Sequence, residues 1–297
     1  MTHRQISALI VNYNTGSHAV QCIHSLLEQQ VDGLEIVVVD NASRDDSIPL
    51  LRSTFGDRVT LVESQENLGF GRANNLAAAM AQGDFLLLIN PDTQWLGSDG
   101  LGTLVAYLES NESVGLAGPE LHEPSKNKYV LPRKTYPSQH RLKYTAGLKA
   151  LPGNIAWVLG ACMLFKADTF RQIGGFDPDY FLYGEDADIC LRVRKAGYAI
   201  GYCPAAKIIH VGGASEAGAV PLEKFLRKKR GFYLFCNKHY DARDVRRIAR
   251  AARVSARLGL MHLAFRSFLG LGTRQQRQQQ KQRLQAASMA AAEVLRN

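Results

Sequence analysis

The chain has 297 residues, 46% of them hydrophobic and 21% charged, which supplies a large apolar core and excludes a disordered chain. Its formal charge of +9 is unevenly divided: residues 1–220 carry 18 Lys and Arg against 23 Asp and Glu, whereas residues 221–297 carry 18 against 4. The five cysteines are odd in number, widely spaced and without a C-x-x-C pair, which excludes a disulfide framework and a thiolate zinc site and fits a reducing cytosol.

The chain opens with alternating short apolar runs and longer amphipathic segments. The runs Ile6–Asn12, Leu34–Asp40, Val59–Glu63 and Phe85–Asn90 are rich in Val, Ile and Leu, each ends on a polar residue, and each reads as a strand. Helical segments at Ser17–Gln30, Asp45–Phe55 and Gly71–Gln82 separate them. A β-α-β-α order predicts an α/β, Rossmann-like, mostly parallel sheet covered by helices on both faces. Residues Leu121 to Asn154 carry four prolines and read as a long loop or irregular insertion. Beyond it, Val158–Phe170 reads as a strand entering a short helix, Asp186–Gly197 as a helix closed by glycine, and Lys207–Gly213 as a short strand. From Pro221 the chain becomes a basic, amphipathic helical region, so the expected division is 1–220 and 221–297. The run Ile6–Val11 is too short for a signal-peptide core, and no stretch approaches the roughly 20 apolar residues of a spanning helix. A cytoplasmic chain is expected.

Four polar clusters follow the strands: Asn12-Tyr13-Asn14, Asp40-Asn41-Ala42-Ser43, Glu66–Gly71 and Asn90-Pro91-Asp92. In a parallel sheet all four gather at one edge, where ligands of open α/β proteins bind. Helix capping by Asn41 or Ser43 is the competing reading. The glycines of Gly69–Asn74 either let backbone approach a ligand or open a helix, and Arg72 either faces an anionic group or is a plain helix residue. Asp92 with a remote His210 has the chemistry to hold a hard divalent cation whose shell phosphate oxygens and water complete; a structural hydrogen bond is the other role open to His210. Glu185, Asp186 and Asp188 place three carboxylates at a helix start, where acids are favoured and where one could also take a proton from a hydroxyl. Tyr180, Phe181 and Tyr183 beside them suit a sugar-like acceptor or a core.

Six ordered blocks, LIVNYN, VVVDNASRDDS, ENLGFGRANN, LLLINPDT, the stretch Gly160–Tyr198 and IIHVGGAS, resemble the family 2 glycosyltransferases of the GT-A fold, in particular their bacterial rhamnosyltransferase-like branch. The resemblance implies a nucleotide-sugar donor, dTDP- or UDP-linked, and an inverting transfer of a sugar, L-rhamnose from dTDP-L-rhamnose in the first instance. It implies that Asp40 contacts the nucleobase, that Asn12, Asn14 and Asn67 line the nucleotide pocket, and that Asp92 and His210 hold Mg²⁺ or Mn²⁺; Gly69, Arg72 and Asn90 are expected to line the nucleotide-sugar site beside them. Asp186 of the Glu185-Asp186 pair matches the general base. Asn90 departs from the family's D-x-D motif, which removes one carboxylate from the metal shell. The implied acceptor is a glycan or a polyprenyl-diphosphate-linked sugar in surface polysaccharide assembly.

The basic C-terminal region, with Arg246, Arg247, Arg250, Arg253 and Arg257 followed by Leu258, Met261, Leu263, Phe265, Phe268 and Leu269, suits the anionic inner face of the cytoplasmic membrane, with a solvated helical face or a dimer contact as the other readings. No nucleic-acid motif accompanies the charge, so no nucleic-acid partner is expected. A non-catalytic membrane-associated protein that binds a nucleotide-sugar or a polysaccharide is the alternative from another class. A dinucleotide dehydrogenase is disfavoured because no G-x-G-x-x-G follows the first strand.

Overall fold

The computed structural model describes residues 5–213, 220–269 and 271–296. Ala214 and Ser215, the end of the IIHVGGAS block, lie outside the described residues.

The first half builds the expected parallel layer. Strands β1 (Ile6–Asn12), β2 (Leu34–Asp40), β3 (Thr60–Glu63) and β4 (Phe85–Ile89) pair in parallel in the order β3-β2-β1-β4, connected by α1 (Gly16–Leu27), α2 (Ser47–Phe55) and α3 (Phe70–Met80). β4 is apolar throughout because both of its faces are covered. Leu87 and Ile89 join a core with Ile23 and Leu26 of α1 and Leu51 and Phe55 of α2. Leu86 and Leu88 join an opposite core with Ala73 and Ala77 of α3.

The second half departs from a parallel sheet. It contains β5 (Thr93–Trp95), α4 (Gly100–Ser110), β6 (Val114–Glu123), β7 (Lys128–Val130), α5 (Ala146–Lys149), β8 (Cys162–Lys166), α6 (Ala167–Gln172), α7 (Glu185–Lys195) and β9 (Ala199–His210). β8 runs antiparallel between β4 and β6, β9 runs parallel to β6, and β5 closes the order antiparallel to β9. The sheet of nine described strands is therefore mixed. The Leu121–Asn154 stretch is not a plain loop: β6 runs on to Glu123 and turns through Asn127, at φ 44°, into β7. The expected short strand at Lys207–Gly213 is the end of the twelve-residue β9.

The chain divides into two compact units. The sheet unit falls within Met1–Tyr136, Leu148–Phe181 and Glu185–Ser215; the other takes Pro137–Gly147, Leu182–Gly184 and Glu216–Asn297. The second unit is built from α8 (Pro221–His239), α9 (Ala242–Phe268) and α10 (Arg274–Arg296), around Tyr233, Cys236, Val245, Ile248, Ala249, Ala290 and Ala291. Small residues on α10 let the helices approach closely. Every cysteine is buried and unbridged.

Candidate active site

Parallel register carries the polar strand ends to one edge. Asn12 of β1 pairs in register with Asp40 of β2, and Asp40 with Glu63 of β3. Asn12 Nδ2 donates to Asp40 Oδ2 at 2.7 Å and to Ser43 Oγ at 3.2 Å, while its Oδ1 accepts from Thr15 at 2.8 Å. Asp40 Oδ1 accepts the Ser43 N–H at 2.9 Å. Both residues are fully buried, so their orientation is dictated by this network.

Asn14 is exposed at φ 52° and ties two loops together, donating its N–H to Ser43 Oγ at 2.9 Å and accepting from Arg44 N at 2.7 Å. Asn41 spans to the third cluster: its Nδ2 donates to Asn67 Oδ1 at 3.0 Å and Gly69 O at 3.1 Å, and its Oδ1 accepts from Leu68 N. Asn41 and Ser43 therefore do not cap α2, whose N-cap, Asp46, makes no side-chain capping bond. The polar strand ends are wired to one another instead.

Gly69 is at φ +79°, and a Cβ there would stand 2.3 Å from Phe181 O. Only glycine admits this approach, in which Phe70 N donates to Phe181 O at 2.8 Å and α3 begins. Arg72, exposed on α3, donates through Nε to Pro178 O at 2.8 Å.

The second cluster of chemistry forms where β5 meets β9. Thr93 pairs with His210, which sets Asp92 Oδ1 3.4 Å from His210 Nε2; Asp92 is 7% exposed and His210 8%. Two buried side-chain atoms of these segments lack a hydrogen-bond partner, Asn90 Oδ1 and His210 Nδ1. Two converging ligand atoms, with an unsatisfied amide oxygen two residues before Asp92, fit a hard divalent cation that takes its remaining ligands from phosphate and water. Among the described residues no group of three or more His, Cys, Asp or Glu stands in metal-holding geometry, so the chain itself would supply a small share of the shell.

The third cluster opens α7, where the three carboxylates separate into different roles. Asp188 is buried and accepts Arg192 Nε at 2.8 Å, while Arg192 also binds the carbonyls of Ile173 and Gly175. That pair fixes the helix to the preceding loop. Glu185 is also buried. Asp186 is half-buried, and its pKa is raised to about 6: burial is the dominant cause, opposed by the N–H groups of Ala187, Gly160 and Asp186 itself and by the positive charge of Arg133. Ala161, next to Gly160, accepts the N–H of Asn90 at 2.9 Å. The segment 160–161 thus links the end of β4 to the start of α7, and Asp186 belongs to the same edge as Asn90. Tyr180 is core, whereas Phe181 is exposed.

Two residues near these groups were not legible as site residues. Arg133 is bridged to Trp157, with its guanidinium 6.0 Å from the indole centroid. Glu123, at the end of β6, places Oε1 3.9 Å from His210 Nδ1. A non-local bridge brings in the first and the β6–β9 pairing the second, so neither leaves a local signal.

A mixed sheet with its parallel half ending in a polar edge, and helices on both faces, is the GT-A fold. Over 99% of this chain and 87% of the other, it superimposes with a TM-score of 0.61 at 19% identity on a mannosyltransferase from Pyrobaculum calidifontis in complex with GDP-Man and Mn²⁺. The TM-score is 0.57 at 15% identity for GalNAc-T7 with UDP, GalNAc and Mn²⁺, over 70% of this chain and 43% of that one. Residues 7–174 match the family described as Glycosyl transferase family 2, and the chain belongs to that family. Residues 137–275 match Glycosyl transferase family group 2. A relative from Mycobacterium tuberculosis, an N-acetylglucosaminyl-diphospho-decaprenol L-rhamnosyltransferase, is 26% identical over 77% of this chain and 83% of its own. An O-antigen chain rhamnosyltransferase of Salmonella typhimurium is 23% identical over 75% and 70%. The chain is a glycosyltransferase.

Proposed function

We propose that the protein is an inverting transferase that moves a sugar, L-rhamnose from dTDP-L-rhamnose, to a hydroxyl of a lipid-linked or polysaccharide acceptor in bacterial surface glycan assembly. The observation that carries the chemistry is Asp186, a carboxylate with a pKa of about 6 at the strand-end edge. It is ionised at neutral pH and more basic than an exposed aspartate, as a general base requires. The rhamnosyltransferase relatives support the sugar, and the acceptor in the mycobacterial relative's name supports a lipid diphosphate carrying N-acetylglucosamine.

In this reading Asp40, held by Asn12 and Ser43, faces the nucleobase, and the loops tied by Asn14, Asn41 and Asn67 line the nucleotide. Arg72 and the backbone at Gly69 contribute to the donor pocket. Asp186 accepts the proton of the acceptor hydroxyl as its oxygen attacks the anomeric carbon. The bond from that carbon to the diphosphate breaks on the opposite face, so a β-linked donor gives an α-linked product without a covalent enzyme intermediate. Asp92 and His210 would hold Mg²⁺ or Mn²⁺, which offsets the charge developing on the departing nucleoside diphosphate. Glu185 buttresses the base at the start of α7.

No described helix is long and apolar enough to cross a membrane. On α9, Val254, Leu258, Met261, Phe265 and Phe268 are all exposed, at spacings of four and three that keep them on one face. The helical region's charge of 18 against 4 suits that face to the anionic inner leaflet of the cytoplasmic membrane. The test is transfer from radiolabelled dTDP-L-rhamnose to a short-chain polyprenyl-diphosphate-N-acetylglucosamine, with NMR of the product anomer. An α-rhamnoside from wild type and none from Asp186→Asn is expected; nucleotide binding without transfer to any acceptor would favour the accessory-protein reading.

A further inference from the structure

The β6–β7 hairpin holds a second carboxylate against His210. Glu123 is 6% exposed. Its Oε2 takes the ammonium of Lys126 at 2.9 Å and that of Lys128 at 3.3 Å, which leaves Oε1 turned toward His210 Nδ1 at 3.9 Å. Two ammonium groups thus hold the carboxylate in place. On the other side of the ring, Nε2 faces Asp92 Oδ1 at 3.4 Å.

The two tautomers of His210 set its single proton against different carboxylates. With the proton on Nε2, the ring donates toward Asp92 at 3.4 Å, the bare lone pair of Nδ1 points at Glu123, and no nitrogen is left for a cation beside Asp92. With the proton on Nδ1, the ring offers a donor to Glu123 and turns the Nε2 lone pair into the space it shares with Asp92. Two buried acceptors then face each other, an arrangement that a cation satisfies. A ring nitrogen's role is set by what its partner nitrogen faces.

We propose that Glu123, steadied by Lys126 and Lys128, is a positioning residue for the donor site: it selects the Nδ1–H tautomer of His210 and so presents Nε2 to a divalent ion beside Asp92. The inference rests on reading Asp92 and His210 as the metal pair. It assigns a role to the β6–β7 hairpin and to the two lysines that pair with Glu123 on it.

The protein is examined by nitrogen-15 NMR of its histidines at pH 7.5 with Mg²⁺ and dTDP, and by electron paramagnetic resonance of Mn²⁺ binding with dTDP. With Mg²⁺ and dTDP bound, wild-type His210 is expected to show the Nδ1–H pattern. Glu123→Leu is expected to weaken Mn²⁺ about 10–100-fold, with dTDP binding in chelator unchanged, and Glu123→Gln, whose amide oxygen still accepts, to fall between. An Nε2–H or doubly protonated His210 in the wild-type complex with Mg²⁺ and dTDP overturns the proposal even if no variant folds. So does Glu123→Leu binding Mn²⁺ as wild type does while Asp92→Ala loses it. If Asp92→Ala leaves Mn²⁺ binding intact, the metal pair itself is wrong and the role of Glu123 falls with it.

Discussion

Replacing Asp186 by asparagine separates what the base costs the fold from what it does in the reaction. Its pKa is raised from 3.8 to about 6, so above pH 6 the folded state carries a charge it holds less well than the unfolded chain does. A shift of about two units is worth ~3 kcal/mol at roughly 1.4 kcal/mol per unit. Asparagine removes that penalty. Its single oxygen can keep the Ala187 N–H, bonded at 2.8 Å, but its NH₂ then confronts the Gly160 donor, which costs about 1 kcal/mol.

The balance is a gain of about 2 kcal/mol at pH 7.5. A raised carboxylate pKa gives a penalty that is absent below the unfolded value of 3.8, grows between pH 4 and 6, and is complete above 6. The gain should therefore shrink with acid, and near pH 4 the variant should be slightly the less stable. Both tryptophans, Trp95 and Trp157, lie in the sheet unit, so urea unfolding followed by their fluorescence reads that unit. A variant less stable than wild type at pH 7.5, or a difference that ignores pH, would refute the placing of a strained, ionised carboxylate at the start of α7.

The same group makes the transfer rate fall about tenfold per pH unit below about 6 as Asp186 is protonated, read as kcat/KM against pH with donor saturating; a flat profile down to pH 5 would exclude it as the base. Gly69→Ala forces a Cβ 2.3 Å from Phe181 O at φ +79°, and should cost about 1–3 kcal/mol with weaker nucleotide binding, measured by urea unfolding and calorimetry. Changing Leu258, Phe265 and Phe268 to serine, all exposed on α9, should leave stability unchanged and weaken co-sedimentation with vesicles containing phosphatidylglycerol. Equal sedimentation of wild type with neutral and anionic vesicles would count against the lipid surface.

What the sequence made legible was local. β4 and the later residues of β1 and β2 show themselves because burial on both faces leaves no polar position until the chain emerges, and Asn12, Asp40 and Asn90 mark those exits. The helix reading of Asp186–Gly197 rests on the same kind of signal. Less visible were features that depend on pairing between distant segments. β6 ends beside Pro124 and an αL Asn127, so its continuation into a hairpin resembles a loop in composition. Three adjacent carboxylates at Glu185, Asp186 and Asp188 look equivalent in sequence; Arg192 one turn on and the backbone of Gly160 make them different. His210 is a lone histidine at a strand end until the register of β5 against β9 puts Asp92 beside it.

Asn90 ties these points together. In the proposed donor site, the family's two acids are reduced to Asp92, and neither the Asn90 amide nor the His210 imidazole adds a negative charge. One carboxylate holds a divalent ion poorly in competition with water, so most of the affinity must come from the donor's own diphosphate. Ion and donor would then bind with positive coupling, each raising the other's affinity by the same factor. In such a site the direction of the His210 lone pair matters more than in one with two acids, because fewer ligands share the shell. A carboxylate behind the imidazole, placed on a hairpin and fixed by two lysines, compensates for the missing acid through orientation without adding charge to the shell itself.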